Sequence, residues 1–273
     1  MSPQLGYRHQ KVQRLRRLIR RRAVRESEGV FVIEGVKLVQ EALSSGANVE
    51  ALYSAPGFAN ACIDMAGATG LRVHELEPGV IERVGDTITP QPVLAVVMAL
   101  DKPLSSLSDA HSLLVMVDVR DPGNAGTILR SAEASGVGGV VFCEGSVDVY
   151  NPKTVRASAG SLFHIPVAVG KGAGTVLEEL NQAGFVTMGT TMAGGSPYDE
   201  TDLTRRVALA FGNEANGLPG ELDATLGELI TIPIDGRSES LNVSMAASVL
   251  CFEAARQRRM SVSLGRGAIE ASH

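Results

Sequence analysis

The chain has 273 residues, 44% hydrophobic and 20% charged, a balance that excludes disordered and fibrous classes and leaves material for one large domain or two modest ones. Trp is absent and aromatics make up only 4%, which argues against RNA recognition on an aromatic stacking platform. The net charge of −5 argues at first against nucleic acid, but residues 1–25 hold nine Lys or Arg and no acid, so the rest of the chain stands at −14. A basic segment on an acidic body implies an anionic partner of its own.

The basic segment opens the chain. Residues 8–25 have the pattern of an amphipathic helix, with Val12, Leu15, Leu18 and Ile19 on one face and arginines over the rest. Residues 1–27 are therefore expected to form a basic arm, with Arg14, Arg17, Arg21 and Arg25 offered to RNA phosphates. A helix docked on its own domain and a membrane-surface helix are the alternatives. From Val30 short apolar runs alternate with helical patterns. Strands are expected at Val30–Ile33, Val49–Tyr53, Leu71–His74 and Val93–Met98. Helices are expected at Gly35–Ser45, at Asn60–Thr69 and near Val80. This rhythm predicts a small α/β domain over 28–100. Residues 101–112, polar with Pro103 and four serines, predict a linker.

A second α/β series fills 113–265, with strands at Leu113–Val117, Gly139–Phe142, Ile165–Val169, Phe185–Thr190, Val207–Phe211 and Leu229–Ile232. Helices are expected near Ala125–Ser135, Thr175–Ala183 and Asn242–Arg259, with 266–273 as a flexible tail. Continuous apolar strands between helices mean a buried, mostly parallel sheet. Cys62, Cys143 and Cys251 fit no metal or redox spacing, and the five histidines are scattered, so reduced thiols and no metal site are expected. No apolar run reaches the length of a membrane span and no signal-peptide core follows the basic start, so the expected location is cytoplasmic.

In an open α/β sheet, ligands bind beyond the carboxyl ends of strands. Three loops there are rich in glycine, asparagine and small residues. The first runs Asp118-Val119-Arg120-Asp121-Pro122-Gly123-Asn124-Ala125-Gly126 and leads through a helix start to Arg130. The second is Phe211-Gly212-Asn213-Glu214-Ala215-Asn216-Gly217. The third runs from Ile232-Pro233 to Ser240-Leu241-Asn242-Val243-Ser244. Each alone reads equally as a capped helix or an ordinary turn. A fourth stretch, Asn151–Ser161, puts Lys153 and Arg156 on one face if helical, where they could grip phosphates.

Taken together the three loops, in this order and spacing, resemble the SpoU branch of the SPOUT RNA ribose methyltransferases. The resemblance rests on Asn124-x-Gly126-x-x-x-Arg130, on Phe211-Gly212-Asn213-Glu214 with Gly217, and on Ile232-Pro233 followed by Ser240–Ser244. It spans the whole second domain. Phe31-Val32-Ile33-Glu34-Gly35 is similar, less specifically, to the family's ribosomal-protein-like substrate-binding domain, and Arg156-x-Ser158-x-Gly160 matches a further family pattern. The resemblance implies a carboxyl-terminal trefoil knot and homodimers whose active site combines both chains. It also implies S-adenosylmethionine held near Thr190, Gly212, Asn213, Ile232, Ser240, Leu241 and Ser244. Arg130, Asn124, Glu214 and Asn242 become the expected catalytic set for methylation of a ribose 2′-hydroxyl.

A free arginine, with a pKa above about 12, is a very poor base. Two roles for Arg130 therefore stay open: a base deprotonated by a cationic, desolvated setting, or a charged clamp on phosphate and developing alkoxide. The extra amino-terminal domain resembles enzymes of large-subunit ribosomal RNA, including those of antibiotic self-resistance, with transfer RNA as the alternative substrate. Two other classes compete. One is a dinucleotide oxidoreductase using Gly170-Lys171-Gly172-Ala173-Gly174-Thr175, where Thr175 replaces the third glycine. The other is a non-catalytic RNA binder.

Overall fold

The computed structural model describes residues 3–270. The chain divides into two compact units, Met1–Leu100 with Asp148–His164, and Asp101–Val147 with Ile165–His273.

The first unit opens with helices α1 (Gln10–Arg20) and α2 (Arg22–Glu28), broken at the extended Arg21. His9 caps α1 by accepting from the Lys11 N–H, and Gly29, at φ +63°, closes α2 in the left-handed region that glycine adopts freely. Strands β1 (Val30–Glu34), β2 (Val49–Ser54), β3 (Val73–Glu75) and β4 (Val93–Met98) form a sheet of order β1-β4-β2-β3. Beside it lie α3 (Val36–Ser44), α4 (Ala61–Ala68) and α5 (Val80–Val84). All four strands and all three helices fall within two residues of expectation, and β4 matches it at both ends.

The arm is not an arm. Val12, Leu15, Leu18 and Ile19 are buried in one core cluster with Val32, Tyr53, Leu94 and Val96. An apolar face of that width is stable in water only when covered, and the sheet covers it. The expected arginines part company accordingly. Arg25 is only 5% exposed; it donates to Asp148 (2.9 and 2.5 Å) and to the carbonyls of Leu18 and Ile19 (2.6 and 3.1 Å). Arg14 donates to Glu28 and, through both terminal nitrogens, to Glu50. Arg17 and Arg21 remain exposed.

Helix α6 (Pro122–Ser135) belongs to the second unit, but the next helix, α7 (Pro152–Ala157), belongs to the first. Tyr150 stacks on Phe31 at 4.6 Å and accepts from the Leu100 N–H, which ties the segment to β1. Arg156 is paired to Asp86 at 2.9 Å, so its guanidinium is engaged within the unit, while Lys153 is exposed.

The second unit holds β5 (Ser112–Met116), β6 (Val140–Phe142), β7 (Val167–Val169), β8 (Val186–Thr191), β9 (Ser196–Pro197), β10 (Val207–Phe211) and β11 (Glu228–Thr231). Their order is β7-β6-β5-β10-β8-β11-β9, and every pairing is parallel. The central strands β5 and β10 are buried along their whole length, as two covered faces require. Helices α8 (Ala173–Gln182) and α9 (Val243–Glu270) complete the unit, and the Ser131 and Ser248 hydroxyls meet at 2.7 Å to join α6 to α9. Helix α9 runs well beyond Arg259 and through most of the expected tail; residues 271–273 lie outside the described chain. The expected linker is also structural. Leu104–Leu107 form a 3₁₀ turn, Leu107 enters the core beside Leu113, and the Lys102 N–H donates to Val167. Among the described residues no helix is long and apolar enough to cross a membrane.

Candidate active site

The strand order runs outward from β5 and β10 in opposite directions, the point at which an open parallel sheet leaves a crevice at its carboxyl end. A cavity of about 660 Å³ opens there. Thr190 to Met192 at the end of β8, Phe211 to Leu218 from the end of β10 onward, and Ile232, Ile234 and Glu239 to Val243 form much of its wall. Leu226, Leu229, Ala246 and Leu250 supply an apolar floor.

The loop after β10 is shaped by close backbone approach. A Cβ on Gly212 would lie 2.1 Å from the carbonyl carbon of Gly217 and 2.3 Å from the Leu218 nitrogen, so only glycine fits. Asn213 and Gly217 exchange two backbone hydrogen bonds (3.0 and 2.9 Å), with Gly217 at φ +68°. The Asn213 side chain turns inward. It donates to the Asp118 carbonyl at 3.0 Å and accepts from the Ala215 and Asn216 N–H groups. Thr190 donates to the Ala210 carbonyl and so fixes the neighbouring strand ends.

One chain of hydrogen bonds joins the three loops at the mouth of the cavity. The Asn242 amide donates to Asn124 Oδ1 at 3.0 Å, and the Asn124 amide donates to Glu214 Oε1 at 3.1 Å. Glu214 also accepts from the backbone N–H groups of Asp121 and Arg120 (3.2 and 3.4 Å). Burial alone would raise the Glu214 pKa; these hydrogen bonds outweigh it and hold the carboxyl below its usual range. Such a carboxylate is a weak base and a good anchor. Asn242 caps α9 as well, accepting from the Ser244 N–H at 2.8 Å.

Most residues expected at the cofactor lie on the cavity wall: Thr190, Gly212, Asn213, Ile232, Ser240 and Leu241. Ser244 does not. It is buried, and both its N–H and its hydroxyl point to Asn242 Oδ1, so it serves the helix cap. Of the expected catalytic set, Glu214 and Asn242 line the cavity and Asn124 connects them. Arg130 stands apart. It is exposed on the α6 stripe that carries Gly123 and Thr127, and it makes no hydrogen bond or ion pair with the described residues. Sequence reasoning places Asp118 in the first loop but gives it no role, and it misses the apolar floor; only the φ of +55° at a non-glycine residue marks the first, and no local signal marks the second. In the glycine-rich loop after β7, Lys171 is paired with Glu179 at 2.5 Å. Among the described residues, no group of three or more His, Cys, Asp or Glu could hold a metal ion.

Comparison with known proteins places this geometry. The SpoU rRNA Methylase family profile matches residues 111–252, and that of the MRM3-like substrate binding domain matches residues 9–95. The chain is 35% identical over 228 residues (84% of it and 89% of the relative) to the 23S rRNA (guanosine(2553)-2′-O)-methyltransferase RlmP of Bacillus subtilis. It is 30% identical, over 92% of its length and 91% of the relative's, to the 23S rRNA (uridine(2479)-2′-O)-methyltransferase of Streptomyces viridochromogenes. Among solved structures, the AdoMet-bound rRNA methyltransferase of Sinorhizobium meliloti is similar at a TM-score of 0.80 and 33% identity, with 91% of this chain and 95% of that one covered. With its cavity, its three joined loops and these likenesses, the chain belongs to the SpoU rRNA methylase family.

Proposed function

We propose that the protein transfers a methyl group from S-adenosylmethionine to a ribose 2′-hydroxyl of large-subunit ribosomal RNA. The observation that carries this reading is the hydrogen-bond chain Asn242–Asn124–Glu214 at the mouth of a glycine-shaped cavity. The names of the two curated relatives, both 23S rRNA 2′-O-methyltransferases, support the substrate class.

The cavity suits an adenosyl group with a short charged tail. Its volume is that of a small-molecule site, and its floor is apolar. The Gly212 position, where a Cβ would collide with the Gly217 and Leu218 backbone, lets the loop after β10 fold tightly on itself and so sets the shape of the cavity wall. Thr190, Gly212, Ile232 and Leu241 would hold the cofactor. When bound, S-adenosylmethionine supplies an electrophilic methyl on sulfur, so the protein's contribution is position and electrostatics. Asn124, polarised between Asn242 and Glu214, is held rigidly where the ribose must arrive. Glu214, already accepting three hydrogen bonds, orients that loop and does not take the proton. Arg130, exposed rather than desolvated in a single chain, fits the charged clamp on phosphate and developing alkoxide better than the base.

The proposal includes a homodimer. Met245, Phe252 and Met260 on α9 are 60%, 48% and 52% exposed, a large apolar stripe for a helix whose other side packs on α6. A second copy is proposed to dock there, in keeping with an active site that combines both chains. The trefoil knot and a cytoplasmic location belong to the same proposal, supported by likeness to SpoU structures over nearly the whole chain. The direct test combines calorimetric binding of S-adenosylmethionine with nucleoside analysis of ribosomal RNA after incubation. A 2′-O-methylnucleoside that is absent with Asn124→Ala supports the reading. A methylated base, or no cofactor binding, overturns it. Phe252→Glu should give a monomer with lost turnover; a fully active monomer would remove the dimer from the account.

A further inference from the structure

The loop that carries Asn124 holds a second group poised for the substrate, at Arg120. Its backbone N–H donates to Glu214 at 3.4 Å, so its Cα is fixed beside the mouth of the cavity. Its side chain is 71% exposed yet tethered, because Nε donates to Asp118 Oδ1 at 2.8 Å. Asp118 is itself immobilised. It sits at φ +55°, and Asn213 donates to both its carbonyl oxygen and its carboxylate (3.0 and 3.3 Å). Its Oδ1 also packs over Gly145, where a Cβ would come within 3.1 Å. A non-glycine residue keeps a left-handed backbone only where its surroundings over-determine it, and such places concentrate at functional sites.

Anchoring by Nε alone leaves the outer edge of the guanidinium open: neither terminal nitrogen has a hydrogen-bond partner among the described residues. That edge is a rigid two-pronged donor of the spacing that phosphate oxygens accept. Its rotamer freedom is already restricted before any ligand arrives, a form of preorganisation. Charge points the same way. Any strand reaching Asn124 meets Asp118, Asp121 and Glu214, and Arg120 is the only cation between Asp118 and Asn124. Arg120 does not line the cavity, so a phosphate outside it fits better than the carboxylate of a bound cofactor.

We infer that Arg120, presented by Asp118, binds a backbone phosphate of the RNA strand next to the ribose that is methylated. This rests on the RNA-methylating reading above, and the test separates the two. Arg120→Ala and Arg120→Lys in the full chain would be compared with the unaltered protein for the KM of ribosomal RNA, the KM of S-adenosylmethionine and thermal unfolding. The dependence of RNA affinity on salt, read by binding alone, does not require turnover. The expected result is a KM for RNA raised about tenfold or more by Arg120→Ala and partly recovered by Arg120→Lys, as loss of a charge-assisted bidentate contact implies. The KM for cofactor should change less than about twofold, and the salt slope should fall by on the order of one phosphate contact. An unchanged RNA KM and slope overturn the inference. So does an effect confined to the cofactor KM, which would assign the fork to the cofactor's carboxylate, or a lowered unfolding temperature, which would make the pair structural. Failure of the unaltered protein to methylate RNA would reject the underlying reading, while the salt slope would still decide Arg120.

Discussion

Replacing Gly212 by alanine should close the cofactor cavity while leaving the rest of the second unit folded. The new Cβ would lie 2.1 to 2.3 Å from the Gly217 carbonyl and the Leu218 nitrogen, all backbone atoms with no rotamer to yield. Ordinary contact needs well over another ångström, so residues 213–217 must swing outward. That movement breaks the two Asn213–Gly217 backbone hydrogen bonds, each worth about 1 kcal/mol net. It also displaces the wall of the cavity by about 1 Å, so contacts to a bound ligand are lost as well, and a total of about 2.7 kcal/mol corresponds to about a hundredfold in affinity. The neighbouring variant Gly217→Ala is the control. Gly217 has open space around its Cβ position and only its φ of +68° to defend, a cost of about 1–2 kcal/mol. Calorimetric titration with S-adenosylmethionine should therefore show affinity lost by about a hundredfold or more for Gly212→Ala and by much less for Gly217→Ala. Near-native binding by Gly212→Ala, or equal losses in the two variants, would refute the argument that close backbone approach builds this cavity.

Two further outcomes follow from the same geometry. Arg25→Ala leaves the Asp148 side chain, only 10% exposed, without its cation and two helix carbonyls without a donor, so the first unit should lose about 3–5 kcal/mol in denaturant unfolding; a loss under about 1 kcal/mol would make the pair ornamental. Glu214 titrates below the usual carboxylate range, so its stabilisation of the loop is complete above the ordinary carboxylate pKa of 4.5 and is lost as pH falls through the lower folded value. Cofactor affinity should drop over that acid window, and Glu214→Gln, which turns an amide donor against backbone N–H groups, should lower kcat/KM about tenfold at neutral pH and flatten the acid limb. An unaltered acid limb in Glu214→Gln would assign it to another group.

Periodicity made most elements legible, because a half-buried strand or helix writes its covered face into the chain. It also misled at the start. The spacing of Val12, Leu15, Leu18 and Ile19 marks a helix equally well whether a sheet, a membrane or nothing covers it, and the arginines around it drew attention to an outside partner. The polar run 101–112 hid Leu104 and Leu107, three apart, because four serines outweigh two leucines in composition. The placement of α7 with the first unit depends on Tyr150 finding Phe31, a contact between residues far apart in sequence. At the site, motif order identified the three loops, but spacing cannot say that Asn242 reaches Asn124 across 118 positions. Ser244 sits within the third motif, but its N–H and hydroxyl are used by the helix cap, which spacing does not reveal.

The central claim is tested most directly with tritiated S-adenosylmethionine and two separate RNA pools, protein-free ribosomal RNA and bulk transfer RNA. The account predicts label in large-subunit ribosomal RNA alone, recovered in an alkali-resistant dinucleotide because a methylated 2′-oxygen cannot attack its phosphate. Label in transfer RNA alone, label in alkali-labile mononucleotides, or no label in free ribosomal RNA or intact subunits would contradict it.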